Sequence, residues 1–192
     1  MRRLLRMMAA LATVAGCWSS AFAGQFVVFP KASVLASPDG HFEVRSAEPH
    51  RAPSEFTGTF NTLWLIEAAT GRSRKLCDYL GVAAVAWSSN DYLVVTEYVG
   101  KRTSRALVFS IAHLEEPVML DQPALIGLVP SDRKATLREN DHVFVEGVRA
   151  EPNKLYLRVW GVGQHDPAGF RWQCEYMLQE EKISCTDDRT QR

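Results

Sequence analysis

The chain has 192 residues, of which 46% are hydrophobic and 23% charged, and its 22 basic and 22 acidic residues give a formal net charge of zero. The neutral charge and the lack of a basic tail argue against nucleic-acid binding. The length suffices for one globular domain with a substantial hydrophobic core.

The first 23 residues have the layout of a secretory signal peptide. Three arginines within residues 1–6 precede an apolar run over residues 7–16, and Ala21-Phe22-Ala23 is a small-residue cleavage site. The apolar run has about ten residues, whereas a membrane-spanning helix needs roughly 20. We therefore expect cleavage after Ala23, a mature single domain over residues 24–192 without a transmembrane helix, and a periplasmic or secreted location in a bacterium.

A second way of processing the leader has to be weighed. Val14-Ala15-Gly16-Cys17 resembles a bacterial lipoprotein signal, in which the cysteine is lipidated and becomes the first residue. The protein would then be anchored to the envelope through Cys17. The segment from Cys17 to Ala23 is short for a tether, and we prefer cleavage after Ala23.

Short apolar runs between turn residues predict an all-β domain, and no stretch after the leader keeps helical spacing for three turns. Twelve strands are predicted at residues 25–29, 42–46, 62–67, 73–78, 82–88, 92–98, 105–111, 117–120, 142–148, 154–161, 170–178 and 182–185. Two longer links, residues 47–61 and 121–140, are rich in polar residues and proline. The second link has room for a short helix beginning at the cap-like Ser131.

Two turns carry recognisable chemistry. Ser37-Pro38-Asp39-Gly40 fits a type I turn. Proline is at the second position, where the φ of the turn matches the φ that the proline ring imposes, and glycine is at the fourth. In Ala69-Thr70-Gly71 the glycine suits the left-handed position of a hairpin. Both turns favour antiparallel neighbours.

A repeat of about 50 residues is the most informative pattern in the chain. Residues 91–96 and 141–146 both consist of an aspartate followed by alternating large residues, and a further strand follows each copy. An earlier unit, residues 37–76, has the same order of parts with a longer insertion. Such a period predicts propeller blades or a related array of sheets.

The motifs over residues 34–113 resemble the blade of TolB-type β-propeller repeats. The similarity lies in the Ser-Pro-Asp-Gly turn at residues 37–40, the strand and Thr-Gly turn at residues 63–71, and the Val-Ala-Trp-Ser stretch at residues 85–88. The pattern departs from the family at Ala36, where tryptophan is usual, and at Ser89-Asn90, which replaces Pro-Asp. The resemblance implies antiparallel blades and a protein-binding role in the periplasm.

The length allows at most four blades of about 42 residues. We expect three to four propeller-like antiparallel blades, either in a small ring or as an open, partial propeller. An open arrangement leaves edge strands, which favour dimerisation or the binding of a partner.

Three cysteines follow the leader. Cys174 and Cys185 are separated by ten residues that read as two strands and a turn, which favours a disulfide in an oxidising compartment. Cys77 is then left unpaired. A buried structural thiol is its first interpretation, and a reactive or intermolecular thiol is the alternative.

Motifs that would indicate an enzyme are missing. The chain has no Gly-x-Ser-x-Gly elbow, no phosphate-binding loop and no His-Glu-x-x-His helix. The weak catalytic candidates are His165 and Asp166, which are adjacent in a loop-like stretch. A turn in which Asp166 caps its own backbone before Pro167 explains them better. We expect no catalytic centre, no metal site and no cofactor.

These observations predict an exported cell-envelope protein that binds another protein through loops or an open sheet edge. One alternative is a carbohydrate-binding or hydrolytic envelope protein that stacks tryptophans on a sugar. Four tryptophans fall in predicted strands, and core packing is the first interpretation for Trp64, Trp87, Trp160 and Trp172. A second alternative is a periplasmic inhibitor or immunity-type protein that acts through a loop such as residues 47–61.

Overall fold

A computed structural model describes residues 24–47, 50–51, 59–99 and 103–188. The predicted cleavage site Ala23, the alternative lipidation site Cys17 and most of the link at residues 47–61 lie outside these residues. The elements of the described chain are β1 (Val27–Phe29), β2 (Val34–Ala36), β3 (Phe42–Ser46), β4 (His50–Arg51), β5 (Thr59–Glu67), β6 (Ser73–Leu80), β7 (Ala83–Trp87), β8 (Tyr92–Val99), β9 (Thr103–Ser110), β10 (His113–Leu120), α1 (Gln122–Leu128), α2 (Ser131–Glu139), β11 (His142–Glu151), β12 (Lys154–Val162), β13 (Phe170–Met177) and β14 (Lys182–Asp187).

The strands form three antiparallel sheets, and none of the three closes on itself within the described residues. The first sheet has the order β2-β3-β5, with β4 and β6 both pairing with β5. The second has the order β1-β7-β8-β9-β10, and the third is the meander β11-β12-β13-β14. The expected mostly-β, antiparallel architecture is confirmed at this level.

The second sheet lies between the other two, and its strands β7, β8 and β9 are largely buried, whereas β10 is mostly exposed. Leu93 and Val95 of β8 point into the core shared with the first sheet, whereas Val94 between them points into the core shared with the third sheet. This alternation follows from the two-residue period of a strand. Full burial of one such aliphatic side chain contributes roughly 1.5–3 kcal/mol.

Two strands and one helix were not predicted. β2 and β4 have three and two residues, too short for alternation to be recognised. The link at residues 121–140 is largely helical, because α2 begins at Ser131 as suggested and α1 precedes it. The residue before α2 is Pro130, so Ser131 is the first helical residue and the expected side-chain cap is wrong. Asp121 instead caps α1 by accepting the Ala124 N–H at 3.0 Å.

Both predicted turns are present. The Gly40 N–H donates to the Ser37 carbonyl at 3.0 Å, and the Ser37 hydroxyl also accepts the Phe42 N–H at 2.9 Å. Gly71 has a φ of 70°, the left-handed conformation expected of it. The first turn joins β2 to β3 and the second joins β5 to β6, so both act as links between antiparallel neighbours.

The two copies of the 50-residue repeat begin strands that hold different positions in their sheets. Asp91 precedes β8, an inner strand of the second sheet, whereas Asp141 precedes β11, the first strand of the third. A closer correspondence joins the turns at residues 37–40 and 88–91, which connect β2 to β3 and β7 to β8. The 50-residue repeat therefore relates the hairpin β8-β9 to the hairpin β11-β12. The two turns instead lie at corresponding positions of the first and second sheets.

No helix of the described residues has both the length and the apolar character needed to cross a bilayer.

Candidate functional site

A groove of about 1100 Å³ crosses the third sheet. Side chains from all four strands line it, among them Arg149 of β11, Tyr156 of β12, Gln173 of β13 and Ser184 of β14. Gly24, the first described residue, lines it as well.

Alternation along the strands decides which residues reach the groove. In β12 Leu155 and Leu157 are buried in the core, which turns Tyr156 and Arg158 outward. The same pattern in β13 buries Cys174 and turns Gln173 outward. The outward face is therefore polar, although the sheet rests on an apolar core.

A bulge in β11 adjusts the register at one end of the groove. Gly147 pairs with Leu157 and Arg149 pairs with Tyr156, so Val148 is an extra residue in the strand. A side-chain carbon at residue 147 would overlap the ring of Phe26, which packs there against the core. Glycine at this position makes room for the N-terminal segment, and the bulge sets Arg149 beside Tyr156.

Tyr156 is held between charged neighbours. The Arg149 guanidinium lies 4.3 Å from the centre of the Tyr156 ring, and the Tyr156 hydroxyl donates to a Glu151 carboxylate oxygen at 3.2 Å. A cation over an aromatic face contributes about 0.5–1 kcal/mol at an exposed site. This arrangement fixes a flat ring surface at the wall of the groove.

Ion pairs connect the charges of the groove with one another and with the strands around it. Arg149 and Glu151 are 3.0 Å apart, while Lys154 lies 2.7 Å from Glu175. The hydrogen bond to Glu175 raises the pKa of Lys154, which is therefore charged at neutral pH. These pairs are partly exposed to solvent and contribute little to stability.

Arg158 has the loosest of these pairings. Its guanidinium lies 3.7 Å from the Glu146 carboxylate, beyond hydrogen-bonding distance, and 47% of its side chain is exposed. A guanidinium has five N–H donors. Arg158 is therefore available to bind an acidic group that enters the groove.

Cys174 and Cys185 fix the outermost strand of the groove. The two residues face each other directly in the β13–β14 ladder, and their sulfur atoms lie 2.06 Å apart, at disulfide-bonding distance. This geometry agrees with the predicted pairing. Because β14 is the last strand of the third sheet, the bond tethers the strand that supplies Ser184 and Thr186 to the groove.

The N-terminal residues join the second and third sheets at one end of the groove. The Gly24 N–H donates to the Trp87 carbonyl at 3.1 Å, and the Gly24 carbonyl accepts the Ala150 N–H at 3.0 Å. The Ser88 hydroxyl donates to the Glu151 carbonyl close by. Gly24 thus makes one backbone hydrogen bond to each of the two sheets.

His165 and Asp166 lie outside the groove, in the loop between β12 and β13. Asp166 accepts the Gly169 N–H at 3.0 Å and the Asn140 side-chain amide at 3.4 Å, while His165 is exposed. The Asp166 carboxylate therefore caps the backbone of the turn over residues 166–169, which includes Pro167. Within the described ranges, no three His, Cys, Asp or Glu side chains converge as metal ligands.

Cys77 is half-buried on β6 and unpaired. Burial raises the pKa of its thiol, and the neighbouring Glu97 carboxylate raises it further. A thiol with a raised pKa holds few thiolate anions at neutral pH and is a poor nucleophile. The structural interpretation of Cys77 is supported by this environment.

The tryptophans divide between the core and the sheet surface. Trp87 and Trp172 are buried, and Trp160 is half-buried on β12, where it stacks on Phe144 with ring centres 4.1 Å apart. The edge of Tyr98 meets Phe144 at 6.3 Å. One face of Trp160 is thus covered by a neighbouring ring, which makes this row of aromatic residues a cross-strand contact and a poor platform for a sugar.

The groove was not recognised from the sequence. A signal was present, because outward positions of β12, β13 and β14 are polar or aromatic in succession, as in Tyr156, Gln173 and Ser184. What the sequence lacked was the register that places these residues side by side.

The chain matches no protein-family model, no curated protein and no solved structure.

Proposed function

We propose that this protein is an exported binding protein of the bacterial cell envelope, and that the groove on the third sheet takes up an extended segment of another protein. The observation that carries the proposal is the groove itself, about 1100 Å³ of space walled by hydrogen-bonding and charged side chains. Its polar groups are amides, hydroxyls, guanidinium groups and carboxylates. They are suited to binding, and none is an activated nucleophile.

The width of the groove fits a short stretch of extended chain. Four strands spaced about 4.8 Å apart span roughly 14 Å, the length of about four extended residues. Gln173, Ser184 and Thr186 offer hydrogen bonds along this path, and Tyr156 offers an aromatic wall. A peptide backbone and mixed side chains would use all of these groups.

The proposal includes a finer account of the fold and the location. Each sheet contains a four-stranded antiparallel meander, namely β2-β3-β5-β6, β7-β8-β9-β10 and β11-β12-β13-β14. In this account they are three blades of an open, propeller-like array related to TolB-type repeats. The signal-like leader supports export, and the sulfur pair of Cys174 and Cys185 suits an oxidising compartment.

The proposal is tested by photo-crosslinking in the envelope of the native host. A photoreactive residue replaces Gln173 in the groove, and a matched control carries it at the exposed Glu115 on β10. We expect one dominant adduct from residue 173 and not from residue 115. The change Ser184→Trp, which places a bulky indole at the wall of the groove, should abolish the adduct while the melting temperature stays unchanged.

Three outcomes would contradict the proposal. The first is equal adduct formation from residues 173 and 115. The second is an adduct from residue 173 that persists in the folded Ser184→Trp protein. The third is an adduct whose mass is that of a second copy of this chain, which would make the groove a dimer interface.

A further inference from the structure

The amino group that processing would create lies at the groove. Gly24 follows Ala23, the residue after which the leader is expected to be cut, and it lines the groove together with Arg149 and Arg158. Hydrolysis of the Ala23–Gly24 bond adds a hydroxyl group to the Ala23 carbonyl carbon and a proton to the Gly24 nitrogen. The resulting amine is mostly protonated at neutral pH, since α-amino groups have a pKa of about 7.7–8.0.

The position of Gly24 is closely determined. Its nitrogen donates to the Trp87 carbonyl and its carbonyl accepts from Ala150. A side-chain carbon on residue 24 would lie 2.7 Å from the Ala150 carbonyl oxygen, too close for any residue but glycine without a shift of the backbone. The new ammonium would keep the hydrogen bond to Trp87 and have two further N–H groups.

The new ammonium would change the net charge of the groove lining. The lining of the groove contains two arginines and two glutamates. Both glutamates already form ion pairs, Glu151 with Arg149 and Glu175 with Lys154. One added positive charge therefore makes a balanced surface cationic. Arg158, with its loose pairing at 3.7 Å, adds unused donors on the same surface.

We infer that cleavage after Ala23 completes the groove, and that the Gly24 ammonium and Arg158 together bind a carboxylate of an acidic partner segment. This inference rests on the proposed function and names the chemistry of the segment. Leader removal then has two effects, release of the protein from the export machinery and creation of one wall of its binding site. Lipoprotein processing at Cys17 would leave Gly24 as an amide without charge.

The test compares the chain beginning at Gly24 with the same chain acetylated at its amino terminus. Acetylation at pH 6.5 is selective, because lysines have a pKa near 10.4 and react far more slowly than the α-amino group. The probe is a fluorescein-labelled hexaglutamate peptide, with hexaglutamine as the neutral counterpart. Arg158→Gln removes the second cation, and Arg72→Gln is the matched control, since exposed Arg72 lies in the turn before β6.

We expect acetylation to weaken hexaglutamate binding about fivefold, the size of one partly exposed charge pair. Arg158→Gln should weaken hexaglutamate binding to a similar extent, while Arg72→Gln should leave it unchanged. The binding of hexaglutamine should not respond to acetylation or to Arg158→Gln. Binding to the free-amine form should weaken between pH 7 and 9, and binding to the acetylated form should not. Equal binding by the free and acetylated forms, or a native protein that begins at Cys17, would overturn the inference.

The two proposals fail separately. If residue 173 still gives a groove-specific adduct but acetylation changes nothing, only the inferred role of the Gly24 ammonium is refuted. If residue 173 gives no specific adduct, the proposed function itself is refuted, whatever the peptide measurements give.

Discussion

The backbone N–H of Asp39 donates a hydrogen bond of 3.1 Å to the side-chain oxygen of Asn90. The two residues hold the same position in two turns, one between β2 and β3 and one between β7 and β8. The bond therefore joins corresponding points of the first and second sheets. The side-chain amide of Asn90 supplies the accepting oxygen.

Replacing this amide tests the link between the two turns. We expect Asn90→Ala to lower the free energy of unfolding by about 0.5–1 kcal/mol, the lower part of the range for a hydrogen bond, because the contact is exposed. Urea denaturation measures the change. Gln164→Ala, which removes an exposed amide in the loop before β13, is the control and should leave the midpoint unchanged. A loss of the same size in both variants would contradict the assignment.

Ser104 provides a second test, on the contact between the second and third sheets. Its buried hydroxyl accepts the Val145 N–H at 2.7 Å and donates to the Val145 carbonyl at 2.9 Å. Ser104→Ala leaves both backbone groups buried without this partner, and we expect a loss of about 1–3 kcal/mol. Hydrogen exchange at the Val145 amide should accelerate, whereas the exposed Ser73→Ala should leave it unchanged. Unaltered exchange in Ser104→Ala would show that the bridge is absent in solution.

Gly147 and Phe26 form a steric pair that a double-mutant cycle can isolate. A methyl group at residue 147 overlaps the Phe26 ring, so we expect Gly147→Ala to destabilise by about 1–3 kcal/mol. In a Phe26→Ala background the same change should be nearly neutral. The four free energies of unfolding come from urea titrations. Additive effects would mean that the N-terminal segment does not pack over Gly147.

The pairing of Cys174 with Cys185 predicts a redox-dependent stability. The bond closes a loop with a sequence separation of 11, and we expect the double change to serine to lower the free energy of unfolding by roughly 2–3 kcal/mol. In the presence of a strong reductant the wild type should lose the same amount. Cys77→Ser should respond to reductant as the wild type does, and a response that depends on Cys77 would contradict the pairing.

The burial of the Cys77 thiol predicts that the protein loses stability at alkaline pH. Burial raises the pKa of its thiol in the folded state, so the folded protein retains a proton that the unfolded chain releases above about pH 8.5. The stability contributed by this thiol is complete well below that pH, and its loss approaches about 1.4 kcal/mol per pH unit well above it. Urea titrations between pH 8 and 9.5 should show this increasing loss in the wild type and not in Cys77→Ala. The same pH dependence of stability in the wild type and in Cys77→Ala would show that the Cys77 thiol is exposed to solvent.

The sequence predicted the strands where alternation was long. In β12 the apolar positions Leu155, Leu157 and Val159 alternate with polar ones, and the observed strand agrees closely with the predicted range. The pairing of Cys174 with Cys185 was predictable for a related reason, because two adjacent strands and their turn bring the residues face to face. These features depend on neighbours in the chain.

The parts that were missed depend on short elements or distant contacts. α1 has seven residues and buries Leu125 alone, so no periodicity over three turns marks it. α2 has nine residues and was indicated only by the cap-like Ser131 at its start. The groove depends on the bulge at Val148 and on the Phe26 ring above Gly147, which come from residues more than a hundred positions apart. A local pattern cannot encode that contact.

The central claim, that the third sheet is the binding surface, is tested most directly by hydrogen exchange on the mature protein with the partner that is captured at residue 173. We predict that added partner slows exchange at the amides of β12, β13 and β14, with the largest change near Gln173 and Ser184. Exchange at β10 and across the first sheet should stay unchanged. Protection confined to β10 or to the first sheet, with none in β13 and β14, would contradict the account.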